Sequence, residues 1–200
     1  MPFAKRLHMR HSVLLVAFLV VAPPYGTAQE KSPQAQISEA VLPAPRGLQD
    51  DATVLGYGGS AREGDPLTVL RQGTGSLVCL ADDPREEGFH VACYHASLDP
   101  FMRLGRRLRA EGRSRSEVMD ERRASLEAGT LTMPELATLY SLTGPEGEYE
   151  SGEDPGLRRL LVLYVPGATG GQLGLPERPE GEEPWLMLPG TAWAHIMIAR

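Results

Sequence analysis

Short apolar runs alternate with polar, glycine-rich turns in the part of the chain that follows residue 50. Residues 52–57 are rich in β-branched and aromatic side chains, a composition typical of strands, and the short apolar segments 66–72, 76–81 and 89–95 are predicted to be strands as well. The segments between them are short and contain Gly, Asp and Pro, which favour turns. Four such strands with short connections predict an antiparallel meander.

The period of the apolar positions changes in the middle of the chain. Asp99 followed by Pro100 is typical of a helix start, because a carboxylate accepts from the first free amides and proline fits the first turn. The apolar and small residues then follow one helical stripe: Leu98, Phe101, Met102, Gly105 and Leu108. Capping boxes at 114–117 and 132–135 predict a second helix and a third, short helix that ends at Gly144.

Strand patterns return toward the C-terminus. Residues 157–165 are predicted to form a central strand, and 185–188 and 192–199 the last two strands. Both faces of the terminal strand are largely apolar, which predicts burial on both sides. The glycine-rich segment 167–174 lacks the Lys-Ser/Thr ending of a phosphate-binding loop, and no amphipathic helix follows it. It is therefore predicted to be a flexible loop.

Strands at the beginning and the end, with helices between them, indicate the fold class. They predict an α+β fold, in which a mostly antiparallel sheet has two or three helices packed on one face. Residues 46–200 are predicted to form a single α+β domain, which is a usual domain size. Residues 29–45 are predicted to be a linker and N-terminal segment, disordered over 29–36 and helical for one or two turns before Pro43.

The first 28 residues have the pattern of a secretory signal peptide. An unbroken apolar run at 13–22 is too short to span a bilayer, and small residues precede a predicted cut after Ala28. The positively charged n-region contains Lys5, Arg6 and Arg10. Residues 1–28 thus predict export to the periplasm or the medium, with a retained N-terminal anchor as the alternative. No later segment is apolar enough to span a membrane.

Removal of the signal peptide changes the charge of the chain. The full sequence has 20 Lys and Arg against 26 Asp and Glu, and cleavage leaves 17 against 26, a net charge of −9. Because phosphate backbones need a cationic surface, this balance argues against nucleic acid as a partner. The arginines between 103 and 123 alternate with acidic residues, which favours a solvated helical face over an anion site. The expected partner is a small molecule or an envelope protein.

Cys79 and Cys93 are the only cysteines. A single pair in an exported chain predicts a disulfide between two neighbouring strands. The alternative is a metal site that combines these thiols with His90, His95 or Asp82, but the spacing fits zinc poorly, since no CxxC or HxxxH pair is present. We therefore predict neither a metal nor a cofactor.

Candidate catalytic residues are few, and their roles are unknown from the sequence. The candidates are His195, His90, His95 and Asp82. No nucleophile elbow of the GxSxG type accompanies them, and Asp82 precedes Asp83 and Pro84 as turn residues commonly do. The leading hypothesis is an exported, non-catalytic binding domain. The alternative is a hydrolase or metal-dependent enzyme that uses His195 with His90 or His95 and an aspartate.

Several short motifs resemble those of a group of uncharacterised exported bacterial proteins. The motifs are DATV at 51–54, LRQGTGSLVCLADDP at 70–84, VACYH at 91–95 and AHIMI at 194–198, with helices between the last two. The resemblance implies a signal peptide followed by one two-cysteine domain. It implies no activity, ligand or site residue.

Overall fold

The computed structural model describes Met1 and residues 31–58 and 66–199. The predicted signal peptide lies outside these residues apart from Met1, and its cleavage and export stay predictions. Within the described part of the chain, no helix is both long enough and apolar enough to cross a membrane.

Eight strands of the described chain form one sheet in the order β2-β1-β3-β4-β5-β6-β8-β7. The strands are β1 Thr53–Gly56, β2 Thr68–Arg71, β3 Leu77–Leu80, β4 Phe89–His95, β5 Ala137–Gly144, β6 Arg158–Tyr164, β7 Trp185–Met187 and β8 His195–Ala199. The helices are α1 Pro33–Ala40, α2 Arg46–Gln49, α3 Asp99–Ala110, α4 Arg115–Glu127 and α5 Gly170–Leu173. Only β1 and β3 pair in parallel, so the predicted α+β class with a mostly antiparallel sheet is confirmed.

The first three strands do not form the predicted meander. β2 lies at the sheet edge, and β1 sits between β2 and β3. The chain returns past the start of β1 through Gly73 and Gly75, where a Cβ would collide with the backbone of Asp51. The strand pattern does not determine which strands become neighbours. The more exposed strand, β2, takes the edge, while Val54 of β1 is fully buried.

The segment predicted to be a disordered linker contains the start of α1. The Ser32 hydroxyl caps this helix by accepting from the Ala35 amide. Gln36 then fixes it to β1, because its amide nitrogen donates to the Tyr57 carbonyl and its oxygen accepts from the Tyr57 amide (2.9 and 2.8 Å). The packed domain therefore begins before residue 46. These long-range bonds, which the local sequence does not reveal, order the segment.

The helices lie on both faces of the sheet. α1 packs on the face of β3 and β4 that contains Cys79 and Cys93. α3 and α4 share the opposite face, which contains Tyr94 of β4, as expected for the two longer helices. Neighbouring residues of a strand point to opposite faces, so Cys93 packs in the core beneath α1 and Tyr94 in the core beneath α3 and α4.

The predicted third helix is wrong: β5 occupies residues 137–144 and pairs with both β4 and β6. Its side chains alternate between the two cores, with Leu139 on the α3 face and Leu142 on the α1 face. The capping box at 132–135 is a local signal, and a short helix gains little from it alone. Pairing with two neighbouring strands outweighs that preference.

Two C-terminal segments also differ from the predictions. β8 begins at His195, and its first four residues are half-buried rather than sealed on both sides, because only the three-residue β7 lies beyond it. The glycine-rich segment contains α5, which is capped by Thr169 and ends at Gly174 in the left-handed conformation. That positive φ is one that glycine adopts without a steric penalty.

Candidate functional site

The predicted disulfide is confirmed. Cys79 and Cys93 face each other on β3 and β4, with Cα atoms 4.0 Å apart, and both are fully buried. Neither thiolate is therefore available to a metal. Among the described residues, no three His, Cys, Asp or Glu side chains come together as metal ligands would.

Asp82 closes the loop between β3 and β4. Its carboxylate accepts a hydrogen bond of 2.8 Å from the amide of His90, eight residues along the chain. Burial raises the pKa of Asp82, and this hydrogen bond partly offsets the effect. The next residue, Asp83, forms a 2.7 Å ion pair with Arg85. The aspartate pair thus holds a turn in place.

His95 caps the 3-10 turn that leads into α3. Its Nδ1 lies 2.8 Å from the Ser97 hydroxyl and accepts from the Ser97 amide. The ring therefore has a local structural partner at the end of β4.

His195 is half-buried at the start of β8. Its Nδ1 lies 2.8 Å from the Trp193 carbonyl oxygen, so this nitrogen carries the proton and donates it. Burial lowers the pKa of His195, which keeps the ring neutral near pH 7. β5 and β6 separate β8 from β4, so His195 lies at least three strand spacings, about 14 Å, from the histidines of β4. The structure does not bring the candidate histidines together.

A series of ring contacts links His195 to Phe101 of α3. The His195 ring stacks on Tyr164 at 5.1 Å between centroids. The Phe101 ring of α3 contacts Tyr164 at 6.3 Å and Trp193 at 6.0 Å. With Arg122 of α4, these four residues make a group that we call the Arg122 cluster: Phe101, Arg122, Tyr164, Trp193 and His195.

Arg122 points inward from α4 onto this aromatic group. Its guanidinium carbon lies 4.1 Å from the centroid of the Phe101 ring, and its Nε donates to the Phe101 carbonyl at 3.2 Å. Gly105 makes room for it, because a Cβ at that position would collide with the guanidinium. Phe101 and Gly105 are one helical turn apart on α3, so a single face of that helix forms the seat for Arg122.

Three arginines of the two helices, Arg109, Arg115 and Arg122, have no carboxylate partner among the described residues, and only Arg122 of these three is partly buried. Arg106, by contrast, pairs with Asp99 at 3.0 Å. No carboxylate within the described ranges pairs with Arg122. Burial, together with the nearby Arg109 and Arg106, lowers the pKa of Arg122 to about 10. A partly buried positive charge is thus left without a counter-ion.

Trp193 carries a second unsatisfied group in the same cluster. Its side chain is 4% exposed, and the indole Nε1 is the one buried side-chain nitrogen or oxygen without a hydrogen-bond partner among the described residues. Buried donors are nearly always paired in proteins. The Arg122 guanidinium lies over the Phe101 ring, and the Trp193 ring lies 6.0 Å from the same ring between centroids. The uncompensated charge and the residue with the unpaired donor thus share a neighbour, which makes this cluster the candidate functional site.

The interpretation of the helical arginines as a solvated face missed this site. Most of them do pair with neighbouring acids on the surface. Arg122, however, lies four residues after Val118 and four before Leu126, on the inward stripe of α4. A charged residue on that stripe was the available signal.

No protein-family model matches the chain, and comparisons with curated proteins and with solved structures found no match. The resemblance to exported bacterial proteins stays a prediction. Function must therefore be inferred from geometry.

Proposed function

We propose that this chain is an exported, non-catalytic domain that binds a small molecule at the Arg122 cluster. The disulfide is compatible with an oxidising compartment outside the cytoplasm. The side chains of Asp82, His95 and His195 each have a partner that fits a structural role. The observation that carries the proposal is the partly buried guanidinium of Arg122 without a carboxylate partner.

The energetics of Arg122 favour a binding role over a purely structural one. Burial lowers the pKa of Arg122 to about 10, so the folded state disfavours the charged form of this side chain relative to water. The cation–π contact with Phe101 and the hydrogen bond to its carbonyl stabilise the folded state by about 1–3 kcal/mol, which offsets the cost of burying the charge. The arginine therefore gives the empty protein little net stability. Departures from the local rules without a gain in stability are expected at functional sites.

Substitution of Arg122 by methionine tests this reasoning. Methionine keeps the apolar stem and removes the charge, so Arg122→Met should be at least as stable as the wild type in urea denaturation. Arg123→Met is the matched control, because Arg123 is exposed and pairs with Asp120 on the surface. Arg123→Met should change the free energy of unfolding by less than about 1 kcal/mol. A loss of more than about 1 kcal/mol in Arg122→Met alone would make Arg122 a structural clamp and refute the proposal.

A further inference from the structure

We infer that the ligand of the Arg122 cluster is a small organic monocarboxylate, whose carboxylate binds the guanidinium and whose apolar body packs against the aromatic rings. This inference rests on the proposed binding function and names its ligand class. It follows from three features of the cluster: the free donors of Arg122, the single uncompensated charge, and the apolar surroundings.

The free donors of Arg122 determine the kind of group that it recognises. Its Nε is bonded to the Phe101 carbonyl, whereas its two terminal nitrogens have no partner among the described residues. These nitrogens form a planar fork, which matches the two oxygens of a carboxylate. Asp99, the acidic residue of α3, pairs elsewhere: it accepts from Tyr94 at 2.8 Å and from Arg106 at 3.0 Å.

The charge of the cluster selects a monoanion. Arg122 is its only cationic side chain, since burial keeps His195 neutral near pH 7. One carboxylate would neutralise one guanidinium. Of the two arginines near Arg122, Arg106 is paired with Asp99 and Arg109 is exposed, so neither adds an unpaired charge among the buried rings. A phosphate dianion would therefore leave a negative charge there, which is unfavourable.

The surroundings of Arg122 indicate an apolar body with a hydrogen-bond acceptor. Phe101, Trp193 and Tyr164 are nearly buried, at 3%, 4% and 8% exposure. The guanidinium and the indole lie against the same Phe101 ring, at 4.1 and 6.0 Å from its centroid. A small acid held by the guanidinium would therefore meet an aromatic surface, and an acceptor atom on it that reached Trp193 Nε1 would satisfy that donor.

The test uses Trp193 as the reporter. Trp185→Phe removes the other tryptophan, and the oxidised protein is titrated with cyclohexanecarboxylate and, separately, with cyclohexanecarboxamide at constant ionic strength. The two probes have nearly the same shape and differ in charge. We expect a saturable change in Trp193 emission and binding of the carboxylate roughly tenfold to a hundredfold tighter than of the amide, as a charge-assisted hydrogen bond provides.

Variants of Arg122 assign that preference to the guanidinium. In Arg122→Met the carboxylate should lose its advantage, while affinity for the amide changes less than about threefold. Arg122→Lys keeps the charge without the fork and should retain part of the preference. Arg123→Met should bind as the parent does.

Three outcomes would overturn the inference: equal affinity for the two probes, no saturable response to either, or tighter binding of inorganic phosphate than of the carboxylate. The stability of Arg122→Met separates this failure from failure of the proposed function. If the variant is as stable as the wild type but the carboxylate does not bind, only the ligand class is wrong. If the variant is clearly destabilised as well, both proposals fail.

Discussion

Loss of the Cys79–Cys93 bond should destabilise the protein mainly by freeing the unfolded chain. The two residues are 14 positions apart on neighbouring strands, and both side chains are fully buried against α1. Cys93 Sγ lies 3.2 Å from the carbonyl oxygen of Ala40, so the bond also fills space between the sheet and that helix. A substitution therefore changes two quantities, the entropy of the unfolded chain and the packing of the folded one.

The two contributions can be given magnitudes. Closing a loop of about 15 residues removes chain entropy worth about 3 kcal/mol. Truncation of two buried side chains to alanine adds about 1 kcal/mol for each. Cys79→Ala with Cys93→Ala should thus lose about 5 kcal/mol. The double valine variant refills the space with a residue suited to strands, and should lose only about 3 kcal/mol.

Urea denaturation of the oxidised wild type and the two double variants measures these losses. The valine variant should also melt about 6–12 °C below the wild type. The reduced wild type should unfold close to the valine variant, because it lacks the same cross-link. If the valine variant is within about 1 kcal/mol of the oxidised protein, restriction of the unfolded chain does not stabilise this domain and the reasoning is refuted.

Three further predictions concern charges and the Arg122 cluster. Burial alone would raise the pKa of Asp99, but hydrogen bonds from Tyr94 and Arg106 hold this pKa below its usual value. The stability that Asp99 contributes is therefore present above about pH 4 and is lost below about pH 4. Asp99→Asn should therefore be less stable at pH 7 and lose less stability on acidification, as urea midpoints from pH 2 to 7 will show; parallel curves would contradict this. Burial lowers the pKa of His195, so the unfolded chain binds more protons as the pH falls through about 6.5, and stability drops. His195→Asn should reduce the drop in the free energy of unfolding between pH 7 and 5. Part of the drop should remain, because burial also lowers the pKa of His90. An unchanged dependence of stability on pH would show that His195 does not titrate in this range. Gly105→Ala should displace Arg122 and abolish the preference for cyclohexanecarboxylate over its amide. Gly171→Ala is the control and should keep the preference, because its added methyl meets no atom within 4 Å. If Gly105→Ala keeps the preference, the guanidinium does not bind the carboxylate from its position beside Gly105.

The fold was predictable from the sequence wherever local signals and tertiary contacts agree. α3 and α4 have their caps and apolar stripes in the sequence, and the structure places them within a few residues of the predicted bounds. β3 and β4 carry both β-branched residues and the cysteine pair, and the disulfide confirms their pairing. In these elements the local preference and the packed structure favour the same state.

The predictions failed where partners distant in the sequence determine the local structure. α1 is ordered by two hydrogen bonds from Gln36 to Tyr57, 21 residues away. β5 carries a capping signal upstream and still becomes a strand, because β4 and β6 lie on either side of it. The parallel pairing of β1 with β3 depends on the close passage at Gly73, which no period of apolar residues encodes.

The candidate site was visible in the sequence as a conflict between two rules. Arg122 belongs to a run of arginines that reads as a solvated surface, and it also occupies the inward stripe of α4 between Val118 and Leu126. A helix that only needed stability would place an apolar residue there, since burial of a lone cation is costly. Gly105 makes the arrangement more specific, because an alanine would suit the middle of α3 better by about 1 kcal/mol and would exclude the guanidinium. Gly105 and Arg122 thus each lower the stability of their own helix, and together they place one charge against the aromatic rings. Such paired departures from the local rules are expected at functional sites, and an anion that binds Arg122 would supply the compensation that the chain itself lacks.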